Sequence, residues 1–256
     1  MNPLRIILLP FSVIYYAATI IRNLLFDKNI LKQEKIKTPV ISIGNITLGG
    51  TGKTPFVILI AKIFLKEGIK VSIISRGYSR KTKGVLIVFD GKELKLTPEE
   101  AGDELIVIYN HLKEYGNLLS VIVAESRVKG AELSELMFRP GVIILDDAFQ
   151  HRNISRNLDI LLFDAKRESE SKFADNILLP GGNLREPLSS IKRSHLFIQN
   201  NKFDDYKILD KLTDYDKPIS VCSYKVEGIF NTGNENIDIS GKDVIALSGI
   251  AEPYSF

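Results

Sequence analysis

The sequence has little of the chemistry that cross-links proteins or binds transition metals. Its 256 residues include one cysteine, three histidines and no tryptophan. The single thiol, Cys222, excludes an internal disulfide framework and a metal site built from several cysteines. Charge of one sign is not in large excess either, because 34 lysines and arginines face 31 acidic residues and give a net charge of +3. We therefore expect no nucleic-acid partner.

What the sequence does have is a regular alternation of short apolar runs with amphipathic segments. Most of the runs are apolar on both faces, as in the strands of a parallel sheet that helices cover. Helices are predicted at 55–68 and 98–116, each of which ends at a glycine. The predicted strands are 39–43, 71–75, 121–124, 142–146, 159–163 and 195–198.

The stretch GGTGKT lies between the first predicted strand and the first of these helices. It differs from the G-x-x-x-x-G-K-[ST] phosphate loop in one position, because Thr47 stands where the first glycine belongs. Backbone N–H groups here can still converge on phosphate oxygens at a positive helix end. Lys53 is expected to bridge the β and γ phosphates of ATP, and the Thr54 hydroxyl to hold Mg²⁺. The predicted nucleotide-binding residues are Thr47, Leu48, Gly49, Gly50, Thr51, Gly52, Lys53 and Thr54.

A second phosphate-site signature follows in VIILDD, where four apolar residues precede Asp146 and Asp147. A buried strand of this kind delivers a carboxylate to the metal beside a phosphate loop. Adjacent residues of a strand point to opposite faces, so the two aspartates are expected to divide the work. The fold class is therefore α/β, with a P-loop NTPase-like, mostly parallel sheet and helices on both faces.

The N-terminus carries the one long uncharged stretch, residues 6–21, between Arg5 and Arg22. It is shorter than the roughly 20 apolar residues of a full membrane span. A signal peptide would export the nucleotide site to a compartment without ATP. We expect a helix that lies in an anionic membrane surface. The alternative is a helix packed on its own domain.

Seven motifs together resemble the tetraacyldisaccharide 4′-kinase family, the lipid A 4′-kinases, and they occur in the family's order. The phosphate loop shares the family's missing first glycine, whereas Ala148 replaces the glycine that the family usually carries. The motifs are distributed over most of the chain, at 39–55, 75–80, 102–104, 125–127, 146–152, 178–187 and 248–256.

The resemblance implies transfer of the ATP γ-phosphoryl group to the 4′-hydroxyl of a lipid disaccharide 1-phosphate, in lipid A biosynthesis at the cytoplasmic face of the bacterial inner membrane. It implies that Thr54, Gln150, Glu186 and Asp147 surround Mg²⁺, and that Asp103 accepts the proton of the sugar hydroxyl. The other catalytic or cleft-lining positions that it implies are Lys53, Asp146, Arg76, Tyr78, Arg127, His151 and Arg185.

The family continues beyond the last motif into a second lobe with an Asp-His-His motif, whereas this sequence stops at Phe256. We therefore expect a chain truncated at its C-terminus, with an intact nucleotide site. The expected parts are a membrane-associated helix at 1–30, a P-loop kinase domain at 31–205, and a linker with an incomplete second α/β lobe at 206–256.

Two other functions fit parts of the sequence. The segment N-K-F-D at 201–204 matches the guanine-reading motif of GTPases, so a membrane-associated GTPase is one alternative. The D-x-x-G of GTPases is missing, because Phe149 and Gln150 stand where the glycine belongs, and we attribute the N-K-F-D match to chance. The other alternative is a nucleotide-gated membrane-binding module, in which GDE would only begin a helix.

Overall fold

The computed structural model describes residues 3–171, 173–226, 228–231, 233 and 235–245. The eight strands in these ranges form one sheet. They are β1 (Val40–Gly44), β2 (Val71–Ser75), β3 (Val85–Phe89), β4 (Leu119–Ala124), β5 (Val142–Asp146), β6 (Leu158–Asp164), β7 (Leu196–Lys202) and β8 (Ile219–Ser223).

The sheet order is β3-β4-β2-β5-β1-β6-β7-β8. Every neighbouring pair is parallel except β3 and β4, which are antiparallel. The strand β1 lies in the middle, and the chain extends the sheet first on one side of β1 and then on the other. All six predicted strands are present, and the mostly parallel sheet is confirmed.

The helices cover both faces of this sheet. The α-helices are α1 (Pro3–Asp27), α2 (Lys53–Lys66), α3 (Pro98–Ala101), α4 (Asp103–Leu112), α5 (Arg127–Phe138), α6 (Ala165–Ser169) and α7 (Asp210–Thr213). Short 3₁₀ helices occupy Lys113–Leu118, Phe173–Asn176 and Leu188–Arg193.

Neighbouring residues of β5 show why both faces need a cover. Ile143 and Ile144 point to opposite faces, and both are fully buried. Ile144 belongs to the core that α2 and α4 complete, with residues such as Val57 of α2. Ile143 belongs to a second core that includes Ala131 of α5. The apolar runs of the sequence are thus explained by burial on both faces.

The predicted helix over 98–116 is divided in the structure. Gly102 has φ 90° and ψ 143°, a conformation that ends α3 and precedes α4. A second change to 3₁₀ geometry follows Leu112. The single-helix prediction was therefore wrong, and the break makes Asp103 the first residue of α4.

The two edge strands were not predicted. β3 is only half-buried over its first three residues, and β8 is partly exposed along its length. Because β8 pairs with β7, the sheet extends beyond the boundary expected at residue 205. The motif at 248–256 lies outside the residues that the structure describes.

Helix α1 has its polar and apolar faces reversed relative to an ordinary surface helix. Its buried side chains, Ser12, Thr19 and Phe26, recur every seven residues and so share one face. Two of these three are polar. In contrast, the exposed side chains of α1 include the large apolar residues Ile6, Ile7, Phe11, Val13, Ile14, Ile21 and Leu24. Within the described part of the chain, α1 is the one helix long and apolar enough to cross a membrane.

Polar contacts hold α1 against the segment 175–187. Arg5 forms an ion pair with Asp175 at 3.0 Å. The Gly181 N–H donates a hydrogen bond to Ser12 Oγ at 2.8 Å, and the Tyr15 hydroxyl donates to the Arg185 carbonyl at 3.0 Å. The helix is therefore packed on its own domain by one face while it leaves an apolar surface exposed.

The break at Gly102 gives a stability prediction. A β-carbon at this position would lie 3.0 Å from Gly77 Cα, so a side chain here would press on the backbone of a second segment. Gly102→Ala should lower the free energy of unfolding by roughly 1–3 kcal/mol from backbone strain alone. Gly68→Ala is the matched control, because Gly68 also has positive φ but a β-carbon there would have nothing within 4 Å. Equal losses in urea unfolding of the two variants would contradict crowding at Gly102.

Candidate active site

The loop of residues 45–52 joins the carboxyl end of β1 to the amino end of α2. Gly52 precedes the helix with φ 86°, and no side chain caps the helix. The first N–H groups of a helix have no partner within it, so this end offers donors and partial positive charge to an anion. A β-carbon at Gly52 would come within 2.3 Å of Asn200 Nδ2. Positive φ therefore favours glycine here, and a larger residue would also displace the Asn200 side chain.

Contacts from other segments fix this loop. The Leu48 N–H donates to the Asn183 carbonyl at 2.8 Å. Asn200 Nδ2 donates to the Thr51 carbonyl at 3.1 Å. The Arg167 guanidinium also contacts the Leu48 carbonyl. The loop conformation is thus set by the protein itself.

The structure brings Lys53, Asp147 and Arg185 together. Lys53 Nζ lies 3.6 Å from Asp147 Oδ1, and Arg185 Nη1 lies 2.8 Å from Asp147 Oδ2. Burial acts to raise the pKa of Asp147, but the positive charges of Lys53 and Arg185 outweigh it and hold that pKa below its usual value. An ionised carboxylate therefore lies between two cations beside the phosphate loop.

The adjacent aspartates have different surroundings. Asp146 ends β5 and is fully buried, and its Oδ1 has no hydrogen-bond partner. Burial, followed by the negative charges of Glu104 and Asp147, raises the pKa of Asp146 to about 7. Asp147 begins the turn after the strand, with φ 47°. The prediction that the two residues have separate roles thus rests on two distinct environments.

Arg127 does not lie on the cleft surface as predicted. Its guanidinium is buried and donates to the Ala124 carbonyl at 2.7 Å and to the Asp146 carbonyl at 3.0 Å. Burial lowers the pKa of Arg127 to about 10. These contacts tie the carboxyl ends of β4 and β5 together. The cleft assignment is therefore corrected, since Arg127 positions the strand that ends at Asp146.

Arg76, Tyr78 and His151 complete the predicted cleft residues. Arg76 and Tyr78 follow β2 and are exposed. His151 is half-buried, and burial, followed by the positive charges of Arg127 and Arg76, lowers the pKa of His151 to about 4. His151 is therefore a neutral imidazole at pH 7. It can donate one hydrogen bond and accept another, but it supplies no positive charge.

Asp103 is exposed in the first turn of α4, where the helix dipole favours a carboxylate. Its neighbour Glu104 was not predicted as a site residue. Surrounding protein atoms, followed by the negative charge of Asp147, raise the pKa of Glu104. The available sequence signal was the second acid of the GDE motif, directly after Asp103.

Glu186, the predicted metal ligand, has both of its oxygens bonded to protein donors. Arg22 Nη2 lies 2.7 Å from Oε1, and Arg193 Nη2 lies 2.7 Å from Oε2. Asn23 Nδ2 also donates to Oε2, at 3.2 Å. The side chain is fully buried. These contacts favour an ion-pair role for Glu186 over the predicted metal-ligand role, and they join α1 to the segment that carries Arg185.

The other predicted metal ligands lie close to the phosphate loop. Thr54 is the second residue of α2, and Gln150 Nε2 donates to the Asn45 carbonyl at 2.8 Å. In the described ranges, no group of three or more histidine, cysteine, aspartate or glutamate side chains could hold a metal ion. Mg²⁺ bound with substrate phosphates needs only one or two protein carboxylates and keeps several waters. Asp147, Thr54 and Gln150 stay the predicted ligands of such a site, and in this structure Arg185 and Lys53 share the Asp147 oxygens.

The residues present fit a nucleoside triphosphate and Mg²⁺. Thr51 Oγ1 and Asp146 Oδ1 are buried at the site without a hydrogen-bond partner. Gly49 and Gly52 both have positive φ, which exposes backbone amides that a side chain would cover. With the parallel sheet, these features define a P-loop nucleotide-binding protein of the phosphoryl-transfer class.

The family described as tetraacyldisaccharide-1-P 4′-kinase matches residues 4–256. The chain belongs to this family. The tetraacyldisaccharide 4′-kinase of Chlorobaculum tepidum is 40% identical over 258 residues, which cover 98% of this chain and 71% of that protein. The protein of the same name from Aquifex aeolicus is 39% identical over 256 residues, which cover 99% of this chain and 76% of that protein.

A solved structure agrees with these relatives. The crystal structure of the Aquifex aeolicus enzyme LpxK in complex with ATP matches with a TM-score of 0.73 and 39% identity. The match covers 91% of this chain and 69% of that one. The predicted fold class and the predicted family are both confirmed.

Proposed function

We infer that this chain transfers the γ-phosphoryl group of ATP to the 4′-hydroxyl of a tetraacyldisaccharide 1-phosphate. Its family is named for that kinase activity, and a similar solved structure holds ATP. The structural observation that supports the reaction is the cluster of Lys53, Asp147 and Arg185 beside the glycine-rich loop. The comparisons favour this kinase over the GTPase alternative.

The phosphate loop provides the donor site. Its backbone N–H groups and Lys53 would balance the charge of the β and γ phosphates. When bound, Mg²⁺ neutralises charge that develops on the transferring group. Asp147, Thr54 and Gln150 would hold it, and Arg185 would keep Asp147 oriented and ionised.

The acceptor hydroxyl would approach from the side of α4. Asp103, held at the amino end of that helix, would orient the hydroxyl and receive its proton late, because the transition state of phosphoryl transfer is loose. Glu104 and Asp146 add two further carboxyl groups to the site, and these favour the binding of cations there. Arg76 and Arg185 would supply positive charge to the phosphoryl oxygens.

The acceptor is a lipid, and helix α1 supports its delivery from a membrane. Large apolar side chains exposed along a helix are favourable when they lie at the acyl boundary of a bilayer. We propose that α1 lies on the cytoplasmic face of the inner membrane, where ATP is present, with its polar face docked on the protein. The enzyme would then meet its acceptor at the membrane surface.

The reaction is tested by incubating the protein with γ-labelled ATP and a tetraacyldisaccharide 1-phosphate. Labelled lipid is expected. Lys53→Ala should lower the turnover about 10²-fold or more, on the scale of losing one preorganised transition-state donor. Label transfer to lipid at an unchanged rate in this variant would contradict the role of the loop.

The two acidic roles predict different kinetic changes. Asp103→Asn should lower kcat with little change in the KM for ATP, because the interaction is made mainly in the transition state. Asp147→Asn should lower activity and raise the Mg²⁺ concentration needed for half-maximal rate. A Mg²⁺ titration of both variants measures this. Rescue of the Asp103 variant alone by added Mg²⁺ would mean that the roles are reversed.

The exposed apolar face of α1 predicts a loss of membrane binding when its side chains are made polar. The triple variant Ile7→Ser, Phe11→Ser and Ile14→Ser should bind phosphatidylglycerol-containing vesicles more than 100-fold more weakly. Burial of each large apolar side chain contributes about 1.5–3 kcal/mol to binding. ATP affinity should not change. Leu136→Ser, at an exposed apolar position of α5, is the control and should bind vesicles normally. Unchanged sedimentation of the triple variant with vesicles would place the membrane contact elsewhere.

A further inference from the structure

Two of the family motifs contain a charged residue that the proposed reaction does not use. Arg80 ends the motif SRGYSR, and Glu125 begins the motif ESR. The two side chains form an ion pair. Arg80 belongs to the segment 76–84, which joins β2 to β3 and carries the exposed residues Arg76 and Tyr78. The ion pair therefore ties this segment, which we call the cleft loop, to the end of β4.

The Arg80 guanidinium closes the cleft loop on itself as well as on Glu125. Its side chain is only 3% exposed, and Nη2 donates a hydrogen bond to the Gly84 carbonyl at 2.6 Å. The Gly84 N–H in turn donates to Glu125 Oε2 at 3.0 Å. One carboxylate thus holds both Arg80, inside the loop, and Gly84, at the end of the loop.

Glu125 is a rigid point of attachment because it stands between β4 and α5. The carbonyl of the preceding residue, Ala124, accepts a hydrogen bond from the buried Arg127 at 2.7 Å. The next residue, Ser126, caps α5 by accepting a hydrogen bond from the Lys129 N–H at 3.3 Å. Groups attached to strands and helices are positioned more precisely than groups on loops. The ion pair therefore fixes the cleft loop relative to the sheet.

The cleft loop also supports the beginning of α4. The Thr82 hydroxyl donates to the Glu100 carbonyl at 2.6 Å. Gly77 packs directly against Gly102, the residue that precedes Asp103. The segment that carries a cation for the phosphoryl oxygens is thus in contact with the helix that carries the proposed base.

The backbone around Tyr78 needs to be held in place by its surroundings. Ser79 has φ 58°, a left-handed conformation that is strained for a residue other than glycine and persists only where neighbouring contacts impose it. Gly77 has φ 71°, and a β-carbon there would come within 2.8 Å of Arg80 Cδ. The two unusual residues flank Tyr78, so the position of Tyr78 depends on the packing of Arg80.

Arg80 acts through the protein and not on a ligand. Its Nη atoms are bonded to Thr82, Gly84 and Glu125, so its guanidinium is already occupied by protein acceptors. A buried ion pair adds little net stability, because the loss of hydration offsets much of the attraction. What these contacts determine is the geometry of the cleft loop.

We propose that Arg80, held by Glu125, is a positioning residue that sets Arg76 and Tyr78 on the cleft loop and Asp103 on α4 in the arrangement that phosphoryl transfer requires. The proposal rests on the proposed kinase function, in which Arg76 neutralises phosphoryl oxygens and Asp103 orients the acceptor hydroxyl. The phosphate loop lies on other segments, so ATP binding should not depend on Arg80.

The kinetic test follows label transfer from ATP to the disaccharide lipid. Arg80→Gln should lower kcat about 10- to 100-fold, on the scale of a misplacement of reacting groups by about 1 Å. Arg80→Lys, which keeps the charge, should recover part of that rate. Glu125→Gln should also lower kcat, and the double variant with Arg80→Gln should be no slower than the slower single variant, because the two residues act as one unit.

ATP binding and an unrelated ion pair are the controls. Calorimetry should give the same ATP affinity for Arg80→Gln as for the unmodified protein. Lys95→Gln removes an exposed ion pair with Asp90, at 3.1 Å, beyond the other end of β3. This variant should keep the kcat of the unmodified protein, since exposed pairs contribute little to stability.

A second measurement does not depend on catalysis. The sequence has no tryptophan, so Tyr78→Trp gives the full chain a single indole on the cleft loop. The fluorescence anisotropy of that indole should fall when Arg80→Gln is added, because the loop is no longer held to Glu125. It should not change when Lys95→Gln is added.

An unchanged kcat in Arg80→Gln would overturn the proposal, and so would an unchanged anisotropy. A parallel loss of kcat, ATP affinity and free energy of unfolding would also overturn it, since Arg80 would then support the whole domain. Failure of the proposed function is distinguishable. If the unmodified protein transfers no label while Arg80→Gln lowers the anisotropy as expected, the lipid kinase is refuted and the attachment of the cleft loop by Arg80 is supported.

Discussion

The fully buried carboxylate of Glu186 determines how the N-terminal helix α1 is joined to the phosphate site. A buried ionised group is costly unless cations and hydrogen bonds replace its hydration. Glu186 receives them from Arg22 on α1 and from Arg193. Arg193 is itself held over the Phe149 ring at 4.4 Å. The neighbouring residue, Arg185, pairs with Asp147, so two consecutive side chains link the N-terminal helix to the phosphate site.

The central part of the fold could be predicted because its strands are buried on both faces. Short apolar runs such as VIILD, bounded by turn residues, are typical of strands that helices cover on both faces. The edge strands escaped prediction because each has one partner strand and side chains that remain partly exposed, so neither the composition nor the alternation is distinctive. The break at Gly102 was missed for a different reason. Its glycine stands inside an otherwise helical pattern, and only the close approach of Gly77 shows why that position must be free of a side chain.

The loop residues of the site could be predicted because glycine, lysine and threonine have their roles in sequence order. The charged residues could not be assigned so directly. An arginine in a sequence does not reveal whether it faces a ligand or binds backbone carbonyls, and Arg127 does the latter. The partners of Glu186 are equally hidden, since Arg22 lies 164 positions away along the chain. Glu104 acquires its electrostatic importance only when the fold brings α4 up to the end of β5.

The docking of α1 along its polar face has a consequence for how the acceptor is found. Ion pairs and hydrogen bonds made by α1 residues between positions 5 and 22 fix the helix to the segment 175–187. With the other face in a bilayer, the cleft would stand at a fixed height and tilt above one leaflet. The search for a lipid headgroup would then be reduced to lateral diffusion in two dimensions, and the effective concentration of acceptor would depend on its density in the leaflet and no longer on its solubility.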